Sequence, residues 1–189
     1  MSFLPEGYKT PSAASNYFKL VKGDNRFRIL GEAIVGWEVW DKRDPKNTKV
    51  IRSRTPITEW SDQNEKVKIF WAFPVYDYQS EEVKVFTPTQ GTIQRPIENL
   101  SLDADWGDPK NYDICIKRTG DGMETEYSLV PIPPKPLRAD IAKLYAEKYI
   151  NLEALYDGGD PFSKGEKAQS DPDNSDPQFF HETPRDTYE

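Results

Sequence analysis

Lys66-Val-Lys-Ile-Phe-Trp-Ala-Phe-Pro-Val-Tyr-Asp77 carries the strongest strand signal in the chain. Side chains alternate between the two faces of a strand, so Val67, Ile69, Trp71 and Phe73 share one face, and Lys66, Lys68, Phe70 and Ala72 share the other. Working outward, Gln79 to Glu82 reads as a turn into a second alternating run, Val83 to Thr87. Upstream, Asn16–Lys22 and Arg26–Leu30 also alternate, with Gly23-Asp24-Asn25 as the turn between them. The second of these runs extends through Ala33 to Trp40 and needs a bend, for which Gly31 or Gly36 supplies the missing side chain. Asp41 to Asp62 is rich in Lys, Arg, Asn and Pro and reads as one long loop.

Downstream, Gln90 to Leu100 has the makings of a short helix interrupted at Pro96, and Asp105-Trp-Gly-Asp-Pro109 is a turn. Tyr112–Arg118 and Glu126–Pro131 form a hairpin across Thr119-Gly-Asp-Gly-Met123, a loop suited to positive φ. Five strands and one intervening helix predict a mainly β fold, a five-stranded OB-type Greek-key barrel with long loops. An SH3-like barrel is the competing all-β reading. Beyond Pro136 the period changes: Ile141, Leu144, Tyr145, Leu152 and Leu155 fall at helical spacing with Lys148 as the polar exception, which predicts one amphipathic helix over about 138–156. The expected organisation is a flexible arm over 1–15, one domain over 16–156 and a disordered acidic tail over 157–189, where Asp, Pro, Gly and Ser dominate.

Charge follows the same division. The chain of 189 residues has a net charge of −7. Asp157–Glu189 holds nine acids and three bases, whereas Ser15–Thr55 holds ten bases and five acids. One cysteine, Cys115, precludes an intramolecular disulfide, and the only histidine, His181, lies in the expected tail, so no His-based nucleophile pair or metal site is expected in the folded part. No Gly-rich phosphate loop ending in Gly-Lys-Ser/Thr is present. The expectation is a non-enzymatic, cytoplasmic protein with no cofactor, no metal and no membrane segment. A carboxylate-dependent nuclease built on acids such as Asp103 and Asp105, or Glu81 and Glu82, is the minor alternative.

Proteins that bind single strands combine cationic side chains for phosphates with aromatic faces on which bases stack. Both ingredients are interleaved here. Arg26 and Arg28 flank Phe27. Trp37 and Trp40 lead into Lys42 and Arg43, and Arg52, Arg54 and Trp60 follow. Lys66 and Lys68 share a face with Phe70, and Lys84 with Phe86. Phe27, Trp71, Phe73, Tyr112 and Tyr127 are assigned to the core. In the tail, Phe179 and Phe180 supply two hydrophobic anchors for a partner protein.

The runs Phe70–Asp77 and Asp105–Pro131, the second with its Trp-Gly-Asp-Pro turn and Gly-rich hairpin, resemble phage single-stranded DNA-binding proteins of the OB-fold type over roughly Asn16–Leu155. The resemblance is to the zinc-free kind, since Cys and His ligands are missing. It implies a barrel that coats single-stranded DNA during replication or recombination, with a DNA surface on strands between Phe27 and Phe86, a flanking contact at Lys117 and Arg118, and an acidic tail that recruits phage or host replication proteins. The alternative of another class is a protein-interaction module, such as a phage adaptor or inhibitor of a host enzyme, in which the tryptophans meet a protein surface.

Overall fold

The computed structural model describes residues 15–62 and 64–164. The N-terminal residues before these and the tail anchors Phe179 and Phe180 lie outside the described residues.

Among the described residues, seven strands form one open antiparallel sheet: β1 (Gly23–Ile29), β2 (Ile34–Asp41), β3 (Lys49–Ser53), β4 (Lys68–Asp77), β5 (Glu82–Phe86), β6 (Asp113–Thr119) and β7 (Glu126–Pro131). The order is β3-β2-β4-β1-β6-β7, with β5 on the other edge of β4. The quoted stretch is the organiser. Its first half pairs with β2 (Trp37↔Ile69, Val35↔Trp71) and its second half with β1 (Ile29↔Val75). β1 and β2 therefore lie end to end along one edge of β4, broken at residues 30–33. Pro74 sits opposite the break, where its missing N–H costs the ladder nothing and its carbonyl accepts from Leu30 N at 3.0 Å. Gly31 makes the bend: a Cβ there would lie 2.5 Å from Tyr145 Oη.

Two α-helices are present among the described residues. α1 (Gly91–Leu102), which runs through Pro96, packs Ile93 and Ile97 under the sheet's inner face against Phe27, Phe73, Phe86 and Ile114. α2 (Ala139–Glu147) covers the outer face with Ile141 against Tyr76 and Val83. Residues 150–162 cover the outer face further along, with Leu155 against Phe70, Ala72 and Val85.

The structure departs from the sequence expectations at five places. The sheet is open, with seven strands instead of five: among the described residues no ladder joins β5 to β7. The outer edge of β5 is taken instead by Asn16–Phe18, where Phe18 N donates to Val85 O and Val85 N to Asn16 O, both at 2.9 Å. Asn16–Lys22 is thus a strap with one isolated bridge and not a strand, and the expected turn at 23–25 belongs to β1. Asn25 explains this, for its side-chain amide donates to Val21 O, Gly23 O and Ile116 O and fixes the strap against β6. The expected loop over 41–62 contains β3. The expected long helix stops at Lys148, the polar exception in the pattern, whose Nζ donates to Val83 O, and a 3-10 turn follows over Leu152–Asp157. Finally, the first residues of the expected tail lie against the fold at Pro161, which is buried, and Phe162, which sits edge-on to Tyr17 at 5.9 Å, while residues 157–160, Ser163 and Lys164 are exposed. Among the described residues, no helix is long and apolar enough to cross a membrane.

Candidate nucleic-acid interface

β2, β3 and the first half of β4 form a three-stranded finger, whose ladders among the described residues join the body of the sheet only through β4. It holds Trp37, Trp40 and Trp71, with Trp60 in the loop between β3 and β4. Register assigns its two faces. Val35, Trp37, Val39, Ile51, Ile69 and Trp71 share the concave face, continuous with the inner core. Ile34, Gly36, Glu38, Trp40, Val50, Arg52, Lys68, Phe70 and Ala72 share the outer face.

The outer face is covered around Phe70, while Trp40 and Lys68 on the same face stay exposed. Tyr156 packs on Phe70 with ring centres 5.8 Å apart and donates from Oη to Val35 O at 2.7 Å. Gly36 makes room for both rings, since a Cβ there would lie 2.9 Å from Phe70 and 2.8 Å from Tyr156. Phe70 is consequently fully buried. Arg52 lies 5.0 Å from the Phe70 ring centre and pairs with Glu38 at 2.8 Å. Arg54 lies over Tyr156 and pairs with Glu153 at 2.7 Å.

The concave face is uncovered over its middle. Val35 and Ile69 are 51% and 50% exposed, unusual for aliphatic side chains in the interior of a sheet. Trp37 and Trp71 are half-buried beside them. Because Trp37 pairs with Ile69, and Val35 with Trp71, the four side chains form one contiguous strip. At the distal end of the finger lie Lys42, Arg43, Lys46, Lys49, Lys66 and Lys68. Lys42 pairs with Glu65, and Arg43 with Asp41. Arg43 also lies 5.2 Å from the Trp60 ring centre. The guanidinium of Arg43 holds the Asp41 carboxyl down to about 2, so this pair persists throughout the physiological range. Lys46, Lys49, Lys66 and Lys68 are exposed and make no ion pair among the described residues, but Lys49 lies across the ladder from Asp41, and Lys68, on the outer face, from Glu38.

The sequence-expected residues therefore divide. Trp37, Trp40, Trp60, Lys42, Arg43, Lys66 and Lys68 are brought together on the finger, with Trp40 on its outer face. Several others are buried, held by partners within the fold, or distant from the finger. Arg28 is 1% exposed, donates to Asp113 at 2.6 Å and to two backbone carbonyls, and is part of the body's framework. Phe86 is 4% exposed among Phe18, Phe27 and Phe73. Lys84 shares its face as expected, but that face is the inner one, where it pairs with Asp77 at 2.9 Å. Arg26 is tied to Asp113 and lies over Tyr78. Arg118 donates to Leu20 O and secures the strap. Lys117 is exposed on the distant β6–β7 hairpin. Of the residues assigned to the core, Phe27, Phe73 and Tyr112 are buried, whereas Trp71 and Tyr127 are half-buried. Val35, Ile69, Lys46 and Lys49 were not singled out; the signal for the first two is their period-2 alternation with Trp37 and Trp71.

The acid pairs behind the nuclease alternative are structural or scattered. Asp103 accepts from the backbone N–H groups of Asp105 and Trp106 and forms a turn. Among the described residues, no group of three or more His, Cys, Asp or Glu side chains stands together as a metal site.

No protein-family model, curated protein or solved structure matches this chain. Functional assignment therefore rests on the geometry of the finger.

Proposed function

We propose that the protein binds single-stranded nucleic acid along the concave face of the finger, with bases against Trp37 and Trp71 and phosphates toward the distal lysines. The supporting observation is an uncovered Trp-aliphatic strip that runs toward exposed lysines at the finger's end, Lys46, Lys49 and Lys66, which form no ion pair among the described residues although Lys49 lies across the ladder from Asp41. Stacking contributes about 1–3 kcal/mol per base and tolerates any sequence. The lysines contribute a salt-dependent, sequence-independent term. The order of strand pairing, and the placement of α1 between β5 and β6, support reading the sheet as an OB-type barrel opened at its β5–β7 seam by the strap. In this reading the protein coats single strands exposed during replication or recombination, as the phage proteins it resembles do.

A second reading is favoured by Val35 and Ile69, whose aliphatic side chains suit a protein partner equally well. Anisotropy of a labelled oligonucleotide across a salt series decides between them. The nucleic-acid reading expects affinity to fall with salt at a log–log slope of about −0.7 per neutralised phosphate. It also expects quenching of tryptophan fluorescence. Absence of salt-sensitive binding below about 10 µM, weaker than ordinary non-specific binding at low salt, would leave the protein-partner reading.

A further inference from the structure

The concave strip leads into a cavity of about 330 Å³, where β1, β2 and β4 meet α1 and the 3-10 turn Pro109–Asn111. Its floor is apolar, formed by Ile29, Val35, Trp71, Phe73 and Ile97. Val35 and Trp71 belong to both strip and cavity, so a chain lying on one reaches the other without a gap.

The rim has a different chemistry from the finger's end. It carries Glu32, Glu98, Ser101, Asp108 and Lys110. Lys110 is the single cation among them, and its ammonium is committed to Glu32 and Asp108. Glu98 is exposed on α1, and its carboxylate has no partner among the described residues. Ser101 Oγ donates to the Glu98 backbone carbonyl at 2.7 Å, which engages its hydrogen and leaves the exposed oxygen free to accept. With three carboxylates around one neutralised ammonium, the rim repels phosphate. A nucleic acid can place only a base here.

The volume is at the low end of the range for small-molecule sites, about 300–1,000 Å³, and suits a single flat ring on an apolar floor. Bases differ in what they offer an acceptor-rich rim. Cytosine N4 and adenine N6 are amino donors, and a carboxylate accepting from cytosine N4 is an established pairing. Thymine and uracil instead flank one ring N–H with two carbonyl oxygens, which face carboxylates repulsively.

We propose that this cavity receives one base of a strand lying on the concave strip, and that its carboxylate and hydroxyl acceptors select amino-bearing bases over thymine and uracil. The inference rests on the strand-binding reading and adds a base preference to it. Full-length protein titrated with oligo-dC and oligo-dT of equal length, at mildly alkaline pH where cytosine is uncharged, tests it. Oligo-dC is expected to bind about tenfold tighter, the effect of one good base contact. In Glu98→Gln/Ser101→Ala, two exposed changes on α1, the ratio should fall toward one, through weaker oligo-dC binding and, with the repulsion relieved, oligo-dT binding that holds or strengthens. Equal affinities in the unaltered protein, or a ratio that survives the double substitution, would overturn the base-selecting cavity and leave strand binding standing. Failure of both oligonucleotides to bind would overturn both.

Discussion

The body of the sheet and the finger are built from the same residue types with opposite outcomes. In the body, Arg28, Lys84 and Phe86 are enclosed, each cation against its own carboxylate and the ring among three others. In the finger, Lys66 and Lys68 stand in solvent, Trp37 is half-buried and Trp40 is 43% exposed. The difference lies in what covers each face. α2 and residues 150–162 form a second layer over the outer face of β4 and β5, whereas on the concave face of the finger α1 only borders the cavity beside Val35 and Trp71 and donates from Gln94 to Ile69 O, leaving Val35 and Ile69 half exposed. A strand with Lys and aromatic residues in alternation is a candidate interface only where no second layer lies on it.

The contrast breaks most visibly at Asp113, which is fully buried and takes Arg26, Arg28 and Tyr78. Asp113→Ala leaves the Arg28 guanidinium buried without its counter-charge and is expected to destabilise the body by about 3–5 kcal/mol in denaturant unfolding. A loss below about 1 kcal/mol would mean that the body's charges are not structural.

The same network gives a pH dependence. Burial pushes the Asp113 carboxyl up, but hydrogen bonds from Arg26, Arg28 and Tyr78 outweigh it and hold the carboxyl below its ordinary range. Asp77 behaves alike, with Lys84 and Ser80 outweighing burial. Groups with depressed folded values stabilise the native state above the unfolded carboxylate value, roughly 3.9, and lose that contribution as pH falls through the folded value. Urea midpoints should therefore hold near neutrality and drop below about pH 4, and Asp113→Asn should flatten that drop.

On the finger, Trp37→Ala should weaken oligonucleotide binding by about 1–3 kcal/mol, roughly 5- to 150-fold, while unfolding stability changes little. Trp40→Ala, on the opposite face, should leave affinity near that of the unaltered protein. Equal losses from the two would erase the distinction between faces. The smallest effect is expected from single Lys→Gln changes at Lys46, Lys49 or Lys66. Each residue that contacts a phosphate should reduce the salt slope by about 0.7, whereas Lys84→Gln should act on stability alone.

Much of the body was legible in the sequence because period-2 alternation in β1, β4, β5, β6 and β7 is strong and Gly31 marks the bend. β3 was hidden because it is a five-residue edge strand with only Val50 and Ile51 as apolar residues. The open seam was not legible, since alternation in Asn16–Lys22 cannot tell a strand from a strap held by Asn25 and one bridge. Within the candidate site, composition located the finger, but Phe70, Phe86 and Arg28 looked exposed because alternation shows which residues share a face and not what covers it. Leu155 and Tyr156, eighty-odd residues downstream of Phe70, supply that cover. Val35 and Ile69 escaped notice because an aliphatic residue in a strand normally reads as core.

Photo-crosslinking of the full chain to a strand carrying 5-iodocytosine, with adducts mapped by mass spectrometry, examines the strand's path directly. Adducts at Trp37 and Trp71, with none at Trp40 or on the β6–β7 hairpin around Lys117, are the expected result. Adducts confined to the outer face or the hairpin, with the concave face unmarked, would contradict it.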